Sequence, residues 1–136
     1  MVDTFETATN WNNIDEQMQQ MQDAVRNALS DEGENVMAFT HISHVYKQGA
    51  SLYTTYFFRA AKDHATTLKR WQKIKKAASL SLANGTATIS HQHGVGRDHA
   101  PYLAAEKGKL GIQVTHDMLK SLDPEQRMNP GVLIEN

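Results

Sequence analysis

The chain has 136 residues, 40% hydrophobic and 21% charged, which supports one modest core and is too short for two independent domains. Fourteen Lys and Arg against fifteen Asp and Glu leave a formal net charge of -1, so the positive field that general nucleic-acid binding requires is absent. With no cysteine, disulfides and thiolate chemistry are excluded; no apolar run approaches the roughly 20 residues of a membrane span, and the acidic start MVDTFETATN is unlike a signal peptide, so the expectation is a cytoplasmic protein.

The first periodic segment runs from about Asn10 to Leu29, with Trp11, Ile14, Met18, Met21, Val25 and Ala28 on one helical stripe. Asn13 and Glu16 have capping-box spacing, and Asp15 and Glu16 suit the positive end of a helix dipole. Val36–Ile42 and Ser51–Phe58 have strand composition, the second being dense in aromatic and β-branched residues. A second helix is predicted from Asp63 to Leu82, carrying Leu68, Trp71, Ile74, Ala78 and Leu82 on one side and a run of lysines on a solvated face. Asn84-Gly85 suggests a left-handed C-terminal position. Thr86–Ile89 is a short strand candidate. Two small helices, about Ala100–Lys107 and Leu110–Leu122, are predicted on either side of Gly108, and Asp123-Pro124 stops the second. This order predicts an α+β fold, a small antiparallel sheet covered by helices on one face, with further strands expected in a preceding segment.

The densest polar concentration is Ser90-His91-Gln92-His93-Gly94-Val95-Gly96-Arg97. If Thr86–Ile89 continues as a strand, alternation puts His91 and His93 on one side and Gln92 on the other. His91, His93 and His99 offer three nitrogen donors, but only Asp98 is an adjacent acid, and no metal is assigned. A solvated glycine-rich turn is the competing reading. Tyr53 in Leu52–Tyr56 alternates with its neighbours and is either a core residue or a site hydroxyl able to hold or move a proton. His41 and His44 flank Ser43 just before that strand.

Four blocks carry a resemblance to a known family: Thr4-Phe5-Glu6-Thr7 ahead of a helix; Tyr46-x-x-Gly49-Ala50-Ser51-Leu52-Tyr53; Leu82-Ala83-Asn84-Gly85 followed by Ile89–Gly96; and Leu122-Asp123-Pro124 with Met128-Asn129-Pro130-Gly131. They resemble the C-terminal, cap-domain part of FAD-linked oxidases of the vanillyl-alcohol-oxidase type, nearest the alkyldihydroxyacetonephosphate synthase branch. The resemblance implies a ferredoxin-like cap portion over about 1–90 and an active-site loop and helical tail over about 91–136. It further implies an absent N-terminal FAD-binding domain as partner, FAD as cofactor, a small-molecule substrate and a possible homodimer. Tyr53, His91 and His93 match catalytic positions, His93 being the candidate base. His41 and His44 resemble a His-x-Ser-His on the substrate side, and Gln92 and Asn129 lie in the motifs expected to meet the cofactor. Gln92 replaces the middle histidine of the synthase branch, and an amide cannot relay a proton as imidazole does. The implied activity is proton abstraction from a small hydroxy acid or alcohol with electron transfer to flavin. Acyl-to-alkyl exchange by an alkylglycerone-phosphate synthase is the alternative, and a non-enzymatic ferredoxin-like interaction module is a third reading.

Overall fold

The computed structural model describes residues 1–134. Strand β1 (Val2–Asn10) leads through a 3-10 turn into helix α1 (Ile14–Arg26); strands β2 (Met37–Val45) and β3 (Gly49–Phe57) form a hairpin, and helices α2 (His64–Ala83) and α3 (Leu103–Leu122) follow. The sheet order is β1-β3-β2, antiparallel throughout, with Glu6 opposite Tyr53 and Tyr53 opposite His41.

β1 is the strand that sequence patterning does not predict. Its core-facing positions are Phe5, Thr7 and Thr9, all buried, so two of three inward residues are threonines and apolar alternation fades. Those hydroxyls are satisfied by the chain after α2: the Thr9 hydroxyl donates to the Thr86 carbonyl at 3.1 Å and the Thr7 hydroxyl to the Thr88 carbonyl at 2.5 Å. Backbone bonds from Thr88 N to Ala8 O and from His91 N to Glu6 O, each 3.0 Å, lay residues 86–91 antiparallel along the free edge of β1. This segment stands in the fourth place of a ferredoxin-like sheet without forming a regular strand, so the expected short strand Thr86–Ile89 is replaced by an irregular edge. β1 supplies a third strand from within the chain, beside the two that composition predicts.

Helices α1 and α2 cover one face. Met21 and Val25 from α1, Leu29 from the turn after it, and Ile74, Ala78 and Leu82 from α2 pack with Phe5, Leu52, Tyr56 and Ile89, and this burial of apolar surface is the main stabilising term. Trp11 departs from its predicted stripe: it is 43% exposed and its indole N–H donates to the Tyr46 carbonyl. The Asn13–Glu16 capping box does not form, because Asn13 is already in the right-handed helical region rather than extended, and Glu16 accepts from Gln20 instead. At the end of α2, Asn84 is right-handed and Gly85 has no positive φ. A Cβ at Gly85 would stand 2.3 Å from the Gln17 side-chain oxygen that accepts from Thr86 N, so a larger residue there would displace that side chain from its bond. The two predicted C-terminal helices occur as one helical stretch broken at Gly108. The fold is thus α+β, a small antiparallel sheet with helices on one face and a helical C-terminal tail, ferredoxin-like in its β-α-β-β-α order.

One carboxylate ties the end of the sheet to α2. Asp3 accepts from the Trp71 indole at 2.7 Å and the Tyr56 hydroxyl at 2.9 Å, and pairs with Lys75 at 3.3 Å. Burial pushes its pKa up, but the bonds from Trp71 and Thr4 N, the Lys75 charge and the Tyr56 hydroxyl together hold it below the ordinary carboxylate value. A depressed folded pKa contributes stability above the unfolded value near 3.9 that is lost as pH falls through the folded pKa. Asp3→Asn is therefore expected to lower unfolding free energy by about 1.5–3 kcal/mol at neutral pH and to flatten acid denaturation. Urea melts of both proteins from pH 7 to 3 read both effects.

Candidate active site

Among the described residues no helix covers the opposite sheet face, and the chemistry-bearing residues gather there beneath the histidine-glycine loop. In β1 the positions between the buried Phe5 and Thr7 turn Glu6 to this face, and in β3 alternation brings Ser51 and Tyr53 to the same side. His41 of β2 stacks on Tyr53 with ring centroids 5.4 Å apart. In a regular strand His44 would face away from His41. A bulge between Ile42 and Val45 re-aims it, placing His44 Nδ1 3.2 Å from Ser51 Oγ and 3.3 Å from Glu6 Oε1.

The histidine-glycine loop completes the group by a turn rather than by strand alternation. His93 N–H donates to the His91 carbonyl at 2.8 Å across Gln92, whose φ is 59°. This is a γ-turn, and it sets both imidazoles over Glu6. His91 Nδ1 lies 3.2 Å from Glu6 Oε1 and His93 Nε2 3.4 Å from Glu6 Oε2. Tyr53 meets the His93 ring edge-on, with centroids 5.3 Å apart. The Tyr53 hydroxyl donates to Thr4 Oγ1 at 3.2 Å. Ser90 Oγ donates to the Gly94 carbonyl, while Arg97 bonds the Pro130 carbonyl and Leu133 N the Gly96 carbonyl, so the tail braces the loop from behind. A left-handed glutamine costs about 1–2 kcal/mol, so Gln92→Gly is expected to raise the melting temperature by roughly 3 °C, readable by calorimetry.

Glu6 is the hub, and sequence reasoning passed over it. The side chain is only 3% exposed. Burial pushes its pKa up, but hydrogen bonds from Ser51, His91 and His44 outweigh this and hold it below the usual range. The available signal was a carboxylate between two inward residues of a strand, invisible while Val2–Asn10 was not read as one. His93 turns Nε2 toward Glu6 and leaves its other ring nitrogen, Nδ1, directed away from that contact. His91 has both ring nitrogens engaged, since Nε2 lies 2.9 Å from the Tyr46 hydroxyl.

The remaining sequence candidates fall elsewhere. His99 is buried beneath α2, 3.3 Å from Ser79 Oγ, and burial lowers its pKa. The set His91, His93 and His99 does not assemble, because the close donors are Glu6, His44 and His91. Gln92 is exposed at the tip of the turn. Asn129 lines a separate cavity of about 380 Å³ between the end of α3 and the tail. Among the described residues, no helix is long and apolar enough to cross a membrane.

The chain is 26% identical to alkyldihydroxyacetonephosphate synthase of Trypanosoma brucei brucei over 132 residues, 97% of this chain and 21% of that protein. It is 26% identical to the Dictyostelium discoideum protein of the same name over 133 residues, 98% of this chain and 21% of that one. The chain therefore spans about a fifth of the length of these relatives. A solved structure of alkyldihydroxyacetonephosphate synthase in P212121 shares the fold with a TM-score of 0.53 at 19% identity, covering 95% of this chain and 20% of that one. A model of the FAD linked oxidases, C-terminal domain, matches residues 1–133, and the chain belongs to that family.

Proposed function

We propose that this chain is the substrate-side, proton-handling part of a FAD-dependent enzyme that exchanges an acyl group for an alkyl group, as in alkylglycerone-phosphate synthase. The observation that carries the reading is the convergence of Tyr53 and His93 on one sheet face, with Glu6 behind the imidazole. About 1–90 act as the cap portion and about 91–136 as active-site loop and returning tail. The open face, with its stacked His41–Tyr53 pair and edge-on His93, fits the ring end of a flavin. The phosphate end is left to an N-terminal FAD-binding domain. Bound flavin supplies the redox-active ring chemistry that side chains lack.

Within this reading His93, whose Nε2 faces Glu6 at 3.4 Å, takes the proton from the reacting group through Nδ1. Tyr53 holds the reacting oxygen through its hydroxyl. His91, occupied by Glu6 and Tyr46, is a positioning residue rather than a donor to developing charge. His41 and His44 border the substrate. Exchange is favoured over oxidation of a small hydroxy acid by a second feature of the same face: Val2, Met37, Phe39 and Phe57 are exposed on it. An apolar strip beside the polar cluster suits an alkyl chain and has no role for a small polar acid.

An assay on the parent protein tests the assignment. Labelled long-chain alcohol is expected to enter the product, with release of the fatty acid, in the absence of any electron acceptor. Stoichiometric acceptor reduction by a hydroxy acid, with no alcohol incorporated, would establish the oxidase reading instead.

A further inference from the structure

We propose that Glu6, His44 and His91 form a divalent-metal site on the open sheet face, suited to zinc. Glu6, His44 and His91 each offer one donor atom, and the three lie within 4.8 Å of one another. The two imidazole nitrogens stand 3.3 and 3.2 Å from the carboxylate oxygen. Donors in a tetrahedral site with bonds of about 2.0–2.1 Å are separated by roughly 3.3–3.5 Å, so an ion can enter between them with small side-chain adjustment. Nitrogen and carboxylate oxygen without sulfur is a donor set that zinc accepts.

The surroundings match what a metal site needs beyond its ligands. Metal-bound imidazole ordinarily donates its second ring N–H to an outer partner. Here His91 Nε2 has the Tyr46 hydroxyl at 2.9 Å. The buried position of Glu6 makes an ion of opposite charge valuable to it. Glu6 uses different oxygens for different tasks: Oε1 faces His44 and His91, whereas Oε2 faces His93. A metal on Oε1 therefore leaves the Glu6–His93 contact in place, and the His44 side chain, 43% exposed, leaves a path for water to the fourth position. The site does not depend on the flavin reading. The three donors come from β1, the β2 bulge and the loop after α2, so binding would also clip the irregular edge segment onto the sheet.

The test is zinc titration of the metal-stripped chain by calorimetry, with metal content measured after gel filtration. One zinc per chain is expected, together with a rise in melting temperature on adding zinc. His44→Asn should weaken binding by more than about 100-fold and Tyr46→Phe by about 10-fold, the first removing a ligand and the second an outer-shell partner. His116→Asn, on α3 beside the tail and apart from the cluster, should change neither. Because Glu6 is buried, His44→Asn is the primary variant, and circular dichroism of its zinc-free form confirms that it folds. Retention well below one zinc per chain, or equal affinity in wild type and His44→Asn, would overturn the proposal. In that case the cluster is a hydrogen-bonded carboxylate–imidazole network only.

Discussion

His93→Asn in the flavin-loaded parent protein is expected to lower turnover about 10²- to 10⁴-fold, the range for a positioned acid–base group. The loss should fall on the rate constant more than on substrate binding, because the imidazole is proposed to move a proton rather than to hold the substrate. Little stability should be lost, since the His93 side chain is 32% exposed and contributes no core contact. Tyr53→Phe removes one hydroxyl whose protein partner is Thr4 Oγ1, so a comparable fall in rate with an unchanged melting curve would place that oxygen at the reaction. Steady-state kinetics beside thermal melts separate the two effects. Full activity in both variants would remove the catalytic role and leave the interaction-module reading.

Gly49→Ala is expected to be the most damaging single methyl in the chain. Gly49 opens β3 opposite Asn10, and a Cβ there would lie 1.9 Å from the Thr9 carbonyl oxygen and 2.9 Å from the Asn10 Cα. Both obstacles are backbone, so no side-chain rotation relieves them. The hairpin must separate from the end of β1, costing about 3 kcal/mol or more, against a total of about 5–15 kcal/mol for a domain. The same residue's carbonyl accepts from Tyr46 N at 2.8 Å, and Trp11 N bonds the Gln48 carbonyl at 3.1 Å, so the turn carrying Tyr46 and His44 would shift as well. A urea midpoint equal to that of wild type would contradict this account of the Tyr46-x-x-Gly49 motif.

Much of the fold was legible because apolar periodicity reports burial directly. Met21, Val25, Ile74, Ala78 and Leu82 sit on predicted stripes and are in the core, and the β3 composition marks its strand. β1 was not legible, because Thr7 and Thr9 replace apolar residues where hydroxyls can be met by the Thr86 and Thr88 carbonyls. Local patterning carries no sign of a partner nearly 80 residues away. The same blindness concealed Glu6, a buried carboxylate that only makes sense once three imidazoles surround it. Motif resemblance led to Tyr53, His91 and His93, but their means of meeting could not be read from spacing. The bulge that turns His44 and the γ-turn at Gln92 are both departures from regular alternation. Capping failed for a related reason, since a preceding 3-10 turn had already placed Asn13 in helical conformation.

The most direct measurement of the central claim is a structure of the parent protein with flavin and an unreactive substrate analogue bound. The Tyr53 hydroxyl and His93 Nδ1 should both lie within about 2.6–3.2 Å of the reacting oxygen, or reach it through one water, with the ligand seated on the sheet face opposite the helices. A ligand seated elsewhere, with the Glu6–His93 cluster facing bulk solvent, would contradict it.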